Sequence, residues 1–581
     1  MDLLLVGEGP ATEAARAALG DVNQTPFDGS ASDVEDADFA IVVGECGGDV
    51  FENANEASLA GDTAWLAIER GGGGGLPIPD VAITISGYSP GDTGCYQCLK
   101  DRIAAGPAAE HDPEEAMSPD GADERLAGAI AGRETVTLLT GGKSTLLGGL
   151  TEIPGESERR SFLPVPGCVC RDSPAIFQLD YRQPRSVDEL FDQTARTLDA
   201  LVGPVTAVEE EGSYPVNFYV AYLAETGGFS DGEIGPRTYA GGIHWKEAML
   251  KAIESGLKEY ALGVYRRETL IDGEPEGMDF TVDPSSFVRA EDSEPFDKDI
   301  YWSVGRRLEN GKPGHVPAEC VYYPPPESNL GPPVRPPVGL GSSTAEAMVE
   351  GLYDAIEQDA TMLSWYSTHE PPAVTVDDAG YQMLERRIEA EGLTVTPLLV
   401  TQDIDVPVIA VAVHREEGWP NFAVGSAAHL DPSRAAKDAL GEAISHWMAL
   451  DTLEEPWNAN GESGLMRYAD FPPDIHDFVE SDETVSTEAL GPESIPTGMD
   501  EYQDVDERVR EVGLDPYGVR ITTEDIEEID LEVGTVVVPG LQPRYGKNPI
   551  FGDRARAIPA DMGNSATLDR ILHPYPTVPT L

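Results

Sequence analysis

Two pairs of cysteines, Cys95-Tyr-Gln-Cys98 and Cys168-Val-Cys170, lie far apart in the chain and constrain its fold more than any other feature. Close-spaced pairs at turns are how a chain assembles a tetrahedral zinc cage, each pair fixing two corners. The fold must then bring the two segments together. Gly94 and Gly167 directly precede the pairs and give the backbone freedom to wrap an ion. Four protein ligands close the coordination shell, so Cys95, Cys98, Cys168 and Cys170 read as ligands of a structural zinc with no open position for catalysis. The competing reading is four unrelated buried cysteines. Cys46 and Cys320 stand alone and read as small buried residues.

Around this constraint the start of the chain reads as α/β. Leu3–Val6 is an apolar strand run, Gly7-Glu8-Gly9-Pro10 a turn, and Thr12–Leu19 an alanine-rich helix. Apolar runs at Phe39–Val43, Ala64–Ile68 and Val81–Ile85, separated by loop signals such as Gly71–Gly75, extend a Rossmann-like unit with a parallel sheet. Gly106–Glu124 is acidic, lacks periodicity and reads as a mobile loop. A boundary near Asp172–Leu179 gives a first domain over residues 1–175 and a second over 176–581. In the second, helices with apolar faces are expected at Trp245–Val264, Thr344–Trp365 and Pro432–Leu450. Acidic and proline-rich insertions are expected near 270–337 and 480–506.

Charge decides which partners are excluded. Asp and Glu number 104 against 39 Lys and Arg, a formal charge of -65 spread along all 581 residues. Carboxylates distributed in this way keep a surface hydrated when salt screens other charges, which points to the cytoplasm of a salt-accumulating cell. Phosphate neutralisation needs clustered Lys and Arg, and no basic stripe exists here, so nucleic acid is excluded as a partner. No run approaches the roughly 18 apolar residues of a membrane span, and the N-terminus lacks a signal-peptide pattern.

Two near motifs fail on inspection. Gly141-Gly142-Lys143-Ser144-Thr145 ends like a phosphate-binding loop, but Thr137 stands where the pattern requires its first glycine. Gly7-x-Gly9 has Thr12 where a dinucleotide fingerprint needs its third glycine.

The second helix reads Gly339-Leu-Gly-Ser-Ser-Thr-Ala-Glu346-Ala, continues through Asp354-Ala-Ile-Glu357-Gln358-Asp359 and ends at Trp365. Gly425 through Asp431-Pro432, followed by Glu442-Ala443-Ile-Ser445, forms a second block. Val538-Pro539-Gly540-Leu541, Gly552-Asp-Arg554 and His573-Pro574-Tyr575-Pro576 form a third. Together, in this order, they resemble the YcaO family, in its azoline-forming cyclodehydratase type. The first part of the chain resembles the E1-like domain joined to such proteins, whose paired cysteines bind zinc and which presents peptide without adenylating it.

That resemblance implies an N-terminal Rossmann-like E1-type domain with structural zinc, followed by a YcaO fold of mixed sheets and helices. It implies ATP and Mg²⁺ as cofactors, with Glu346, Asp354, Glu357 and Glu442 at the acidic motif positions and Arg554 at the late arginine. Asp354 and Glu357 are three apart and so share a helical face. The expected activity is modification of peptide backbone amides, by azoline cyclodehydration or thioamidation, with the first domain presenting the peptide. A second YcaO chain, a sulfur-supplying protein and a homodimer are the further partners it implies.

The chain departs from the family pattern in its first signature helix. Lys251, Ser255, Lys258 and Glu259 stand where Ser, Glu, Glu and Arg are usual, which replaces two metal-binding acids. Gln358 replaces an arginine, Ser445 a glutamine, and Ala240-Gly241-Gly242 a Gly-Lys-Gly. The tail carries Pro574, Pro576 and Pro579 in a shifted spacing. These departures motivate an alternative reading, a YcaO pseudoenzyme that binds peptide or a partner chain.

Overall fold

A computed structural model of the protein describes residues 2–107, 117–154, 159–171, 177–275, 278–289, 299–452, 464–546, 548–570 and 572–576. Among them, the first 161 residues build one seven-stranded sheet. Its order is Phe27–Asp28, Leu3–Val6, Phe39–Glu45, Trp65–Arg70, Ile83–Tyr88, Gly149–Ile153, Arg160–Ser161. The first four strands run parallel, as the βα opening requires. From Trp65–Arg70 onward every pairing is antiparallel, so the expected parallel sheet is mixed. The connection over residues 71–82, rich in glycine and proline, forms no helix, so the helical crossover that usually joins parallel neighbours is missing there.

Alternation along these strands feeds two cores. Leu3, Leu5, Ile41, Leu66 and Ile68 face the helices Pro10–Gly20 and Gly121–Leu139. Leu4, Val6, Val42 and Ala67 face the other way, into a core that continues through Leu257 and Tyr260 to Val519. The second face therefore joins the first sheet to the rest of the molecule. Part of the expected 106–124 loop is helical: Asp120 accepts the Ala122 and Asp123 N–H groups and starts a helix at Gly121. Residues 108–116 and 172–176, on which the remainder of that loop and much of the expected domain boundary fall, lie outside the described residues.

Three further sheets follow. Val205–Gly212, Asn217–Leu223 and Arg237–Gly242 form an antiparallel set. A six-stranded sheet includes Ile300–Arg307, Pro313–Pro317, Tyr517–Arg520 and Glu532–Val537 and ends at the edge strand Val338–Gly341. Part of the expected 270–337 insertion thus belongs to a sheet. Phe422–Ala428 and Val408–His414 begin a five-stranded sheet. The expected acidic excursion at 480–506 also differs, because the helix Met499–Glu511 buries Tyr502 and Val505. Acidic residues on its other faces hide that amphipathic period in the sequence.

The three helices expected in the second half form at Trp245–Gly263, Thr344–Trp365 and Pro432–Asp451. They are called below the lysine helix, the acidic helix and the Glu442 helix. The acidic helix is capped by Ser343, whose side chain accepts the Glu346 N–H. The Glu442 helix is capped by Asp431 with Pro432 in its first turn. The acidic helix is buried along most of its length and packs against the six- and five-stranded sheets. No helix among the described residues is long and apolar enough to cross a membrane.

Candidate functional site

The three helices converge on a cavity of about 710 Å³. The acidic helix supplies Glu346, Glu350, Asp354 and Glu357, whose spacing places all four on one face. That face meets the edge strand Val338–Gly341. The backbone N–H groups of Val338, Leu340 and Ser342 donate to Asp354, Glu350 and Glu346 at 3.0, 2.7 and 2.8 Å. Two strand residues advance about 6.7 Å and four helical residues about 6 Å, so the two repeats run in step. Gly339 permits the close approach, since a Cβ there would lie 2.0 Å from the Ala347 carbonyl oxygen.

The Glu442 helix repeats the device. Glu442 accepts the Ser426 N–H at 2.7 Å, and a Cβ on Gly425 would lie 2.4 Å from the Ala443 nitrogen. Ser426 Oγ donates to Glu357 at 2.7 Å, and Arg544 Nη2 donates to the same Glu357 oxygen at 2.7 Å. Two motif glycines therefore let helices sit close enough to strands for carboxylates to be fixed by backbone amides.

Cations interleave with these acids. Lys258 Nζ donates to Glu350 at 3.0 Å, and Lys251 Nζ to Asp438 at 3.4 Å. Arg335 donates to Glu259 at 2.6 Å and lies 3.6 Å from Asp354. Burial pushes Glu357 up to about 7, against the pull of Arg544 and with help from Glu442. Burial likewise pushes Glu254 up to about 7, and neighbouring Glu350 adds to it. Glu346 and Glu442 are raised, also chiefly by burial. Burial works against the charge on Lys258, yet Glu350 outweighs it and holds the ammonium above its ordinary pKa. An acid-rich cavity with raised carboxyl groups is a place where added positive charge is stabilised.

Of the residues expected from sequence, Glu346, Asp354, Glu357 and Glu442 line this cavity together. Arg554 is not with them. It donates to Asp359 at 2.7 Å and to Asp403 at 2.6 Å, because the turn at Gly552 is anchored on Gln542 away from the cavity lining. The cavity is lined instead by Arg335, Arg434 and Arg544, and Arg544 is the one that donates to Glu357. Sequence reasoning also missed Glu350 and Glu254. Glu350 follows Glu346 by one helical turn, and Glu254 precedes Lys258 by one turn, so helical spacing was the signal for both. Gln358, where an arginine is usual, donates to Asp354 at 2.9 Å. Ser445 accepts the Gly241 N–H at 2.8 Å and ties the Ala240–Gly242 strand end to the Glu442 helix.

The C-terminal prolines reach the same place. Pro576 lines the cavity, its carbonyl accepts Arg544 Nη1 at 3.4 Å, and the Arg544 guanidinium lies 5.4 Å from the centre of the Tyr575 ring. Pro579 lies outside the described residues.

The four cysteines form a second centre. Sγ atoms of Cys95, Cys98, Cys168 and Cys170 all lie within 4.8 Å of one another. The Sγ–Sγ distances are 3.9 Å for Cys95–Cys98, 3.6 Å for Cys95–Cys168 and 3.5 Å for Cys98–Cys170. A tetrahedron with metal–sulfur bonds of about 2.3 Å has edges of about 3.8 Å, so this donor set fits a thiolate-bound metal. Cys95 caps the helix Tyr96–Ala105 and Cys98 lies in its first turn, which fixes one pair relative to the other.

Residues 240–542 match the family described as "YcaO cyclodehydratase, ATP-ad Mg2+-binding". The chain belongs to the YcaO family. All three cavity-forming helices of this YcaO chain fall inside the matched segment. A solved structure described as a heterocyclase in complex with substrate and cofactor aligns with a TM-score of 0.76 at 17% identity, covering 99% of this chain and 85% of that one. The heterocyclase TruD aligns with a TM-score of 0.67 at 16% identity, over 97% of this chain and 82% of that one. These likenesses show the YcaO heterocyclase fold. No curated protein sequence matches the chain.

Proposed function

We propose that the chain is an ATP-dependent modifier of peptide backbone amides of the cyclodehydratase type. The observation that carries this reading is the cavity itself: helix-borne carboxylates, fixed by hydrogen bonds and facing the Arg544 guanidinium, in a space large enough for a nucleotide. In this reading Glu346, Asp354, Glu357 and Glu442 hold Mg²⁺ against the nucleotide phosphates, and Arg544 takes up charge that develops on transfer. Glu254 supplies an acid from the lysine helix, one residue before the position where the family pattern places it.

Bound ATP supplies the phosphoryl group that turns a poor oxygen leaving group into phosphate. A Cys, Ser or Thr side chain of the peptide adds to the preceding amide carbon, and the former carbonyl oxygen is phosphorylated. Loss of phosphate then leaves an azoline ring; an external sulfur nucleophile in place of the side chain gives a thioamide. The chain's own residues orient the phosphates and exclude water. Arg544 also holds the segment Tyr575-Pro576, and Pro576 lines the cavity. The first domain, with zinc bound by Cys95, Cys98, Cys168 and Cys170, presents the peptide and takes no part in the chemistry.

The Lys258–Glu350 pair favours a second reading, because an ammonium already occupies an acidic corner of the cavity. A binding partner that lacks catalysis would keep the fold and tolerate such a cation. The two readings separate by mass spectrometry of a Cys/Ser/Thr-rich peptide encoded near this chain, incubated with protein and Mg-ATP. Catalysis predicts products lighter by one water per ring, with matching phosphate release. Unchanged peptide that nevertheless binds the protein would support the partner role.

A further inference from the structure

Arg102 is wholly buried, and its partners come from three separate parts of the chain. It lies one helical turn after the ligand position Cys98, in the same helix. Its Nη2 donates to the Pro164 carbonyl at 2.7 Å and pairs with Asp525 at 2.5 Å; its Nη1 donates to Tyr260 Oη at 3.2 Å. Tyr260 Oη closes the triangle by donating to Asp525 at 2.8 Å. Tyr260 belongs to the lysine helix, two residues after Lys258 and on the helix that carries Glu254.

The second cysteine pair is tied to the same assembly. Val165 N–H donates to Cys98 Sγ at 3.3 Å, Gly167 N–H to Glu524 at 3.2 Å, and Arg171 Nη2 to Glu528 at 3.1 Å. The cysteine centre, the Asp525 turn and the lysine helix are thus one hydrogen-bonded unit, and Arg102 bonds to all three.

A buried ion pair is a poor source of stability, since apolar residues of the same volume often do as well. Its distinctive property is directional: five donors in a fixed plane specify one arrangement of their acceptors. We propose that Arg102 is a positioning residue that makes the setting of the lysine helix, and with it Glu254 and Lys258 in the cavity, depend on metal occupancy of the cysteine centre. Metal draws Cys98 and the 163–170 segment together; Arg102 reads that arrangement through the Leu163 and Pro164 carbonyls and passes it to Tyr260. The effect on nucleotide affinity rests on the reading that the cavity takes Mg-ATP; the effect on the helix does not.

The test is hydrogen–deuterium exchange of residues 245–263 in the full chain, zinc-loaded and after zinc removal by chelation, with Mg-ATP affinity measured on the same samples. In the natural protein, zinc removal is expected to deprotect the helix and weaken Mg-ATP at least fivefold. In Arg102→Met/Asp525→Leu, an apolar replacement of the pair, the helix should exchange alike with and without zinc, and affinity should not respond to chelation. Arg102→Lys, which keeps the charge but loses the fork, gives a second check with the same expected insensitivity. Exchange that ignores zinc in the natural protein overturns the proposal, as does an undiminished zinc response in both variants. Absent Mg-ATP binding in an otherwise zinc-responsive helix would instead overturn the nucleotide reading and leave this one standing.

Discussion

The Glu350 carboxylate accepts the Leu340 backbone N–H through one oxygen, at 2.7 Å, and the Lys258 ammonium through the other, at 3.0 Å. One bond fixes the acid to the sheet edge, and the other supplies a built-in cation. Lys258→Met should therefore destabilise the metal-free protein by about 1 kcal/mol, because the Glu350 carboxylate it strands is partly screened by solvent. Millimolar Mg²⁺ should restore part of that loss in the variant and little in the natural protein. Thermal melts with and without Mg²⁺ check both halves of the expectation.

Arg544 and Arg554 should separate cleanly on substitution. Arg554→Lys breaks a fork shared by Asp359 and Asp403 and is expected to lower the melting temperature by several degrees, a loss of about 3 kcal/mol. Its Mg-ATP affinity, measured well below the melt, should stay within about twofold of the natural protein. Arg544→Lys should weaken Mg-ATP about tenfold or more, because an ammonium cannot reproduce the guanidinium's several bonds. Calorimetry on the two variants is the check.

Metal content offers an independent prediction. The purified chain should hold one zinc, lost in Cys98→Ser and in Cys168→Ser and kept in Cys46→Ser and Cys320→Ser, as read by elemental analysis. Loss of zinc should also lower thermal stability.

His573 sets a pH dependence. Its Nε2 donates to the Tyr545 carbonyl at 2.8 Å, and burial, with Arg544 nearby, drives its pKa down to about 3. In the unfolded chain the imidazole protonates near 6.5, so the unfolded state binds the extra proton first. The stabilisation is full above about pH 6.5 and is lost as pH falls toward 3. Between pH 7.5 and 5, the stability of the natural protein relative to His573→Gln should shrink by about 2 kcal/mol. Denaturant midpoints at the two pH values measure this directly.

What the sequence made legible follows from period and spacing. The three cavity helices were visible because apolar faces repeat at about 3.6 residues, and the cysteine centre because close-spaced pairs are a metal-ligand pattern. Glu346, Asp354, Glu357 and Glu442 stood in quoted motifs and meet in the cavity. Glu350 and Glu254 were hidden because the chain is acidic throughout, so a further glutamate on a helix carries little information by itself. Arg544 was hidden for a different reason: its role depends on a loop returning to the acidic helix from nearly 190 positions later, a relation no local pattern encodes. The antiparallel half of the first sheet likewise follows from the helix-free connection over residues 71–82, whose return direction cannot be read from strand patterns alone.

The central claim is that the acid-lined cavity binds Mg-ATP. Calorimetric titration of Mg-ATP into zinc-loaded protein in molar KCl, beside Glu357→Gln, tests it most directly. Micromolar binding in the natural protein and its loss in the variant is the predicted result. A folded, zinc-loaded protein that shows no heat of binding would contradict it.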